Sequence, residues 1–399
     1  MANAEWIKKS NGCFMTTYGR YPAVMVEGRG CLLKDADGRE YLDCLAGIAV
    51  CSLGHCHPAI TEAICRQAST LVHVSNLYHT IPQTELAELL ISHSFADRVF
   101  LANSGAEANE AAIKLARKAS APGKYEIISL AGSFHGRTLA TVAATGQEKF
   151  HKGFEPLPQG FRHAPFGDIA ALEAMLGPET CAILCEPLQG EGGVRPLAPE
   201  YLAAIRQLCD SRNLLLIFDE IQVGMGRSGT LFAYEQCGVT PDILTLAKAL
   251  GNGLPIGAML AKESVAKAFE PGSHASTFGG NPVACAAAVT TLRIMLGEGF
   301  FAEVREKGEY LAEQLNGLAT RYPAMAEPPR GLGLIQGLPL TEDWLDQGPA
   351  MVNRLFEKGV LLNFAGGKVL RCLPPLIISR AEIDRLIQAL DEVFSELNQ

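Results

Sequence analysis

Leu214-Leu215-Leu216-Ile217-Phe218-Asp219-Glu220 is the stretch on which the fold turns. Its five uninterrupted apolar residues read as a strand buried on both faces. A carboxylate closing such a strand is costly to bury unpaired. Asp219 therefore stands either as a solvated loop residue or as the partner of a cationic ligand group. In open α/β sheets, ligands bind at the carboxyl ends of strands, and Asp219 falls at such an end. Locally both readings stay open.

Similar runs lie on either side. Segments 98–102, 125–130, 181–185 and 242–246 are expected strands, and helical spacing runs from the first of them to about residue 119 and again over 201–212. This βαβ rhythm implies a mostly parallel sheet covered on both faces. Segment 23–45 reads as short strands around the turn Asp35-Ala36-Asp37-Gly38. Helices are expected near 282–297, 302–320 and 380–397. The fold class is α/β, a large domain with a mostly parallel central sheet and a smaller α+β domain built from both termini. The expected division is 1–60 and 285–399 for the small domain and 61–284 for the large one.

The chain has 399 residues, 48% of them hydrophobic, enough for a large buried core and two domains. A net charge of −9 argues against a nucleic-acid partner, which calls for clustered basic surface. Twelve cysteines are scattered, several inside apolar runs where they act as small hydrophobes. Residues 1–10 carry no apolar signal segment, and no stretch approaches the ~18 apolar residues of a membrane span. A soluble protein of a reducing cytoplasm is expected. His55-Cys56-His57 resembles a metal cluster, but adjacent ligands rarely converge on one ion and no CxxC or HExxH accompanies them. Gly54 and Pro58 suit a turn instead, and no metal is expected.

Two further segments carry chemistry. Asn103-Ser104-Gly105-Ala106-Glu107 lies at a strand-to-helix junction, with Ser104 and Glu107 spaced as a capping box. Free N–H groups there favour an anion such as phosphate; an ordinary capped helix is the plainer alternative. Thr245-Leu246-Ala247-Lys248 follows another apolar strand and precedes Gly251-Asn252-Gly253. Lys248 either snorkels to solvent or lies desolvated as an amine nucleophile. Together, a phosphate-suited helix start, a strand-end carboxylate and a strand-end lysine meet the three demands of pyridoxal 5'-phosphate. These are an anion site, a partner for the ring nitrogen and a lysine for a Schiff base. No G-x-x-x-x-G-K-[ST] run supports a nucleotide site instead.

The chain resembles the class III (omega) aminotransferases of pyridoxal-phosphate fold type I along nearly its whole length. The motifs are Gly54-His55-Cys56-His57-Pro58, Asn103-Ser104-Gly105-Ala106-Glu107-Ala108, Phe134-His135-Gly136-Arg137-Thr138, and the run from Glu186 to Gly193. Asp219-Glu220-Ile221-Gln222-Val223-Gly224, Lys248, Ser276-Thr277-Phe278-Gly279-Gly280-Asn281-Pro282 and Arg371 before Pro374-Pro375 complete the set. The resemblance implies that Lys248 holds the cofactor and moves the proton, and that Asp219 pairs with the ring nitrogen. It also implies that Gly105 and Ala106 hold the phosphate, Phe134 stacks on the ring, and Gln222 contacts the ring oxygen. Glu220 and Ile221 flank them in the cofactor motif. Thr277 would reach the phosphate of a neighbouring subunit, making the working unit a homodimer. For substrate, Arg371 would bind the α-carboxylate of 2-oxoglutarate and glutamate. Glu191 would mask Arg371 while the amine donor is bound, Arg137 would clamp the distal carboxylate, and Ser276 would line the same region. Tyr18 stands as either a wall of the carboxylate pocket or a core tyrosine. An apolar Ile48, where ornithine enzymes usually carry tyrosine, and the segment His73-Val74-Ser75-Asn76-Leu77-Tyr78 point to N2-acetylornithine as donor. Ornithine, GABA and succinyl-diaminopimelate remain the alternatives within the family, and a cofactor-binding protein without transaminase activity the alternative outside it.

Overall fold

The computed structural model describes residues 2–398. Near the N-terminus β1 (Met25–Arg29), β2 (Leu32–Asp35) and β3 (Glu40–Asp43) form an antiparallel meander. Asp35 closes its turn by accepting the backbone N–H groups of Asp37 and Arg39 at 3.0 and 2.9 Å.

The central sheet contains β4 (Arg98–Ala102), β5 (Glu126–Leu130), β6 (Phe161–Ala164), β7 (Thr180–Cys185), β8 (Leu215–Asp219), β9 (Ile243–Leu246) and β10 (Gly257–Ala261). The spatial order is β4-β10-β9-β8-β7-β5-β6. β10 runs antiparallel to both its neighbours, and the other pairings are parallel. Every residue of β7, β9 and β10 is buried, as expected of strands covered on both faces. The helix Gly105–Ala119 packs on the sheet with Ala108, Ala111, Ala112 and Leu115 buried; the small alanines allow close approach. Helix Pro282–Met295 packs on Pro58–Thr70 and Ile81–Ser92.

The C-terminal part adds β11 (Arg330–Leu332), β12 (Ile335–Pro339), β13 (Val360–Leu361), β14 (Asn363–Ala365) and β15 (Val369–Cys372). β11-β12-β15-β14 is an antiparallel sheet, and β13 pairs in parallel with β3. The two ends of the chain therefore share a sheet. Long helices Phe300–Arg321 and Arg380–Leu397 cover this region. Ser379 and Glu382 form a reciprocal capping box at the start of the latter.

The expected strands and helices are present within a residue or two. β6, β10 and the C-terminal strands were not read from the sequence. Ser104 accepts the Glu107 N–H at 3.2 Å, but the Glu107 carboxylate returns to the N–H of Asn103 at 2.8 Å rather than to Ser104. His55 binds Asp43 at 2.7 Å through Nε2, tying the Gly54–Pro58 turn to β3. No single described helix is long and apolar enough to cross a membrane.

Candidate active site

The turn after β4, the end of β8 and the segment after β9 meet at one edge of the sheet, where parallel strands present their carboxyl ends. Asp219 pairs in register with Thr245 of β9, so Lys248 emerges beside it. A cavity of about 410 Å³ opens there. Gly105, Ala106, Phe134, Arg137, Glu191, Asp219, Ile221, Gln222 and Lys248 all line it, nine residues drawn from five separate motifs.

Asp219 is buried, and its carboxylate is fixed from three directions. Oδ2 receives His135 Nδ1 at 2.7 Å and Asn109 Nδ2 at 2.8 Å, while Oδ1 receives the Ile221 N–H at 3.0 Å. Donation to a carboxylate assigns the proton to Nδ1 of His135. Asn109 is itself held by Thr245, whose hydroxyl donates to Asn109 Oδ1 at 2.7 Å. Lys248 adopts φ +47°, a conformation few non-glycine residues hold unless their surroundings impose it. Burial pulls its pKa below the ordinary lysine range, against the attraction of Glu191. At the helix start, a side chain on Gly105 would meet Ile221 at 2.7 Å, so the turn packs this closely against Ile221 only because this residue is glycine.

Glu191 and Arg371 form an ion pair at 2.8 Å. Burial works against the Glu191 carboxylate, but the Arg371 guanidinium outweighs it and holds the carboxyl below its usual range. Arg371 is fully buried on β15. It donates from Nε to Asn363 Oδ1 at 3.1 Å and from Nη1 to Gln222 Oε1 at 2.9 Å. Its Nη2 is buried with no partner among the described residues. Arg137 is exposed at the rim, 4.1 Å over the ring of Phe150, which meets Phe134 edge-on.

Five expected site residues are not among those lining this cavity: Arg371, which meets the lining through Glu191 and Gln222, and Glu220, Ser276, Thr277 and Tyr18. Glu220 turns away from Asp219, as consecutive extended residues must. It accepts the N–H groups of Ala233 (2.6 Å) and Tyr234 (2.7 Å), and burial raises its pKa to about 8. Ser276 reaches the rim indirectly, its Oγ accepting from Asn103 Nδ2 at 3.1 Å. Thr277 is exposed outside the cavity of its own chain. Tyr18 is 75% exposed, so it is neither a core tyrosine nor a wall of this cavity. Ile48 is exposed with φ +65°, and its near neighbour Val50 lines the cavity instead. Gln222 is engaged by Arg371 in the present arrangement rather than turned to a ring.

Sequence reasoning missed Asn109, His135 and Glu186 as working residues. Glu186 lines the cavity and accepts the Phe134 N–H at 3.1 Å. Burial and then the charge of Asp219 push its carboxyl well above the ordinary range. Asn109 did leave a signal, being polar on the otherwise apolar face of its helix. His135 and Glu186 lay inside quoted motifs without a role.

The chain belongs to the class-III aminotransferases, whose family pattern matches residues 14–394. Among its relatives is the acetylornithine aminotransferase of Methanocaldococcus jannaschii, 50% identical over 403 residues and covering 100% of both chains. The acetylornithine aminotransferase of Caldanaerobacter subterraneus is 51% identical over 387 residues, 96% of this chain and 97% of that one. The crystal structure of the ornithine aminotransferase of Toxoplasma gondii superposes with a TM-score of 0.95 at 34% identity, covering 100% of this chain and 96% of that one. The N-acetylornithine aminotransferase of Stenotrophomonas maltophilia gives 0.85 at 38% identity, covering 98% and 99%. The backbone is thus shared by enzymes named for different donors, so donor choice rests on side chains.

Proposed function

We propose that this enzyme transfers the δ-amino group of N2-acetylornithine to 2-oxoglutarate, giving N-acetyl-L-glutamate 5-semialdehyde and L-glutamate. The cofactor is pyridoxal 5'-phosphate and the working unit a cytoplasmic homodimer. The observation that carries the reading is the Glu191–Arg371 pair. A buried arginine is neutralised by a half-buried carboxylate, yet keeps one guanidinium nitrogen without a partner among the described residues. Closed, the pair presents no net charge to a donor's alkyl-amine end. Open, Arg371 offers a planar fork to the α-carboxylate of 2-oxoglutarate. Relatives about 50% identical over the full length carry the acetylornithine name, which supports this donor over ornithine.

The residues present fit the cofactor. The N–H groups of Gly105 and Ala106 would hold its phosphate at a helix N-terminus. Phe134 would stack on its ring, Asp219 would face the ring nitrogen, and Gln222 would reach the ring oxygen once released by Arg371. When bound, the cofactor supplies an electron sink for charge left on the amine-bearing carbon. Lys248 would anchor it and, once freed, carry the proton at Nζ, a task favoured by its lowered basicity. Asp219, oriented by His135 and Asn109, would pair with the ring nitrogen. Arg137 would clamp the carboxylate at the far end of either substrate. A second copy is supported by the exposure of Leu77 (84%), Tyr78 (64%), Ile81 (75%) and Phe278 (62%), beside Thr277. So large an apolar display is characteristic of an interface. Free cysteines throughout the chain agree with a reducing compartment.

The test is a panel of amine donors with 2-oxoglutarate, compared by kcat/KM. N2-acetylornithine should lead; a higher value for ornithine, GABA or succinyl-diaminopimelate would overturn the donor assignment while leaving the transamination chemistry in place.

A further inference from the structure

Glu191 lies in the loop joining two short paired strands, Leu188–Gln189 and Arg195–Pro196. The loop is bent against local preference. Gly193 has φ +101° and Val194 φ +52°, and a β-branched residue in the left-handed region persists only where its surroundings force it. The force comes from the C-terminal part of the chain. Arg330 sends Nε (3.2 Å) and Nη2 (2.9 Å) to the single carbonyl oxygen of Gly193. Arg330 is half-buried and makes no ion pair among the described residues; the Gly193 carbonyl is the acceptor it has. Gly366 presses on the same loop, where a side chain would come within about 3.1 Å of Gly192 and Gly193. Just past the loop, the Arg195 guanidinium stacks 3.7 Å over Phe166. The loop is thus pinned immediately after Glu191, whose carboxylate reaches Arg371 at 2.8 Å.

The pin and the lock sit on one sheet. Arg330 opens β11, which pairs with β12, which pairs with the β15 strand bearing Arg371. Arg330 therefore fixes the distance from the Glu191 backbone to the guanidinium it must reach. We propose that Arg330 is the positioning residue of the Glu191 gate, and that it sets the balance between donor and 2-oxoglutarate. This rests on the gate reading of Glu191 and Arg371 given above. Without the bidentate hold, the loop samples more conformations and the closed pair loses its preorganisation. The open form gains, so the two substrates respond in opposite directions.

The experiment compares kcat/KM for N2-acetylornithine and for 2-oxoglutarate in the wild type, Arg330→Gln, Arg330→Lys, Glu191→Gln and the Arg330→Gln/Glu191→Gln double variant, all as holoenzyme. Arg330→Gln should raise the ratio of 2-oxoglutarate to donor efficiency about tenfold, the scale of one charge-assisted hydrogen bond. Arg330→Lys, which keeps charge but not the fork, should restore part of the original ratio, and it serves alone if the Gln variant does not fold. In the Glu191→Gln background, Arg330→Gln should add nothing. The pin is overturned if Arg330→Gln weakens both substrates in equal proportion, or if its effect persists undiminished without the Glu191 charge, while Glu191→Gln itself shifts the ratio. If Glu191→Gln leaves the ratio unchanged, the gate falls and the pin with it.

Discussion

Asp219 is a buried carboxylate fixed by three hydrogen bonds, two of them from side chains distant in sequence. Removing one donor leaves the charge short of partners, and the lost stabilisation falls in the range of about 1–3 kcal/mol for a buried charged acceptor. His135→Phe removes the Nδ1–H while keeping a ring of similar volume. It should lower the free energy of unfolding by that amount, read in urea as a lower midpoint at unchanged slope, and weaken pyridoxal-phosphate retention on dialysis. An unchanged midpoint would show that Asn109 and Ile221 suffice. Legibility at this scale follows from what a residue type can do alone. A lysine or carboxylate at a strand end announces itself, because burying its charge demands a reason. His135, Asn109 and Glu186 act through contacts with residues distant in sequence, and nothing in their local spacing encodes those contacts. Glu220 illustrates the reverse failure: adjacent to Asp219 in sequence, it faces the opposite way and caps a short turn at residues 233–234.

Among the elements, the periodicity of apolar residues located the strands that alternate with helices. It could not assign direction. β10, Gly257–Ala261, is an apolar run like its neighbours, and only the short connection from β9 returns it antiparallel. The C-terminal strands are short and Gly-interrupted, so their pattern is too weak to read. Helix starts are better encoded. Ser104 caps Gly105–Ala119, and Ser104→Ala should destabilise the protein by about 1 kcal/mol in chemical denaturation; no change would mean that the Glu107–Asn103 bond carries the cap. The His55–Asp43 bond joins the turn before helix Pro58–Thr70 to β3. The hydrogen bond His55 gives to Asp43, then its bond with Cys51, raises the His55 pKa to about 10. A raised folded-state pKa contributes stability that is complete below about 6.5, the unfolded value, and is lost as pH climbs toward 10. His55→Gln should therefore lower Tm markedly at pH 6 and little at pH 10. An equal loss at both would contradict a charged pair.

For the molecule as a whole, one cavity at the carboxyl edge of the central sheet receives residues from five separate motifs, while β15 supplies Arg371 from the C-terminal sheet. Ordered motifs made that convergence foreseeable. What they left open was which residues a single chain brings in. Thr277 and the apolar display of Leu77, Tyr78, Ile81 and Phe278 lie outside the cavity of their own chain, as residues that serve a second copy would. Leu77→Asp with Phe278→Asp should convert a dimer to monomer in sedimentation velocity and release pyridoxal phosphate with it; a monomeric wild type would remove the basis of the shared site. The central claim is that Lys248 anchors the cofactor. It is tested most directly by reducing the pyridoxal-phosphate-loaded enzyme with borohydride and mapping the modified peptide by mass spectrometry. A phosphopyridoxyl group on Lys248, absent with the cofactor absorbance and turnover in Lys248→Ala, is the expected result; a label on another lysine, or normal turnover in that variant, would contradict it.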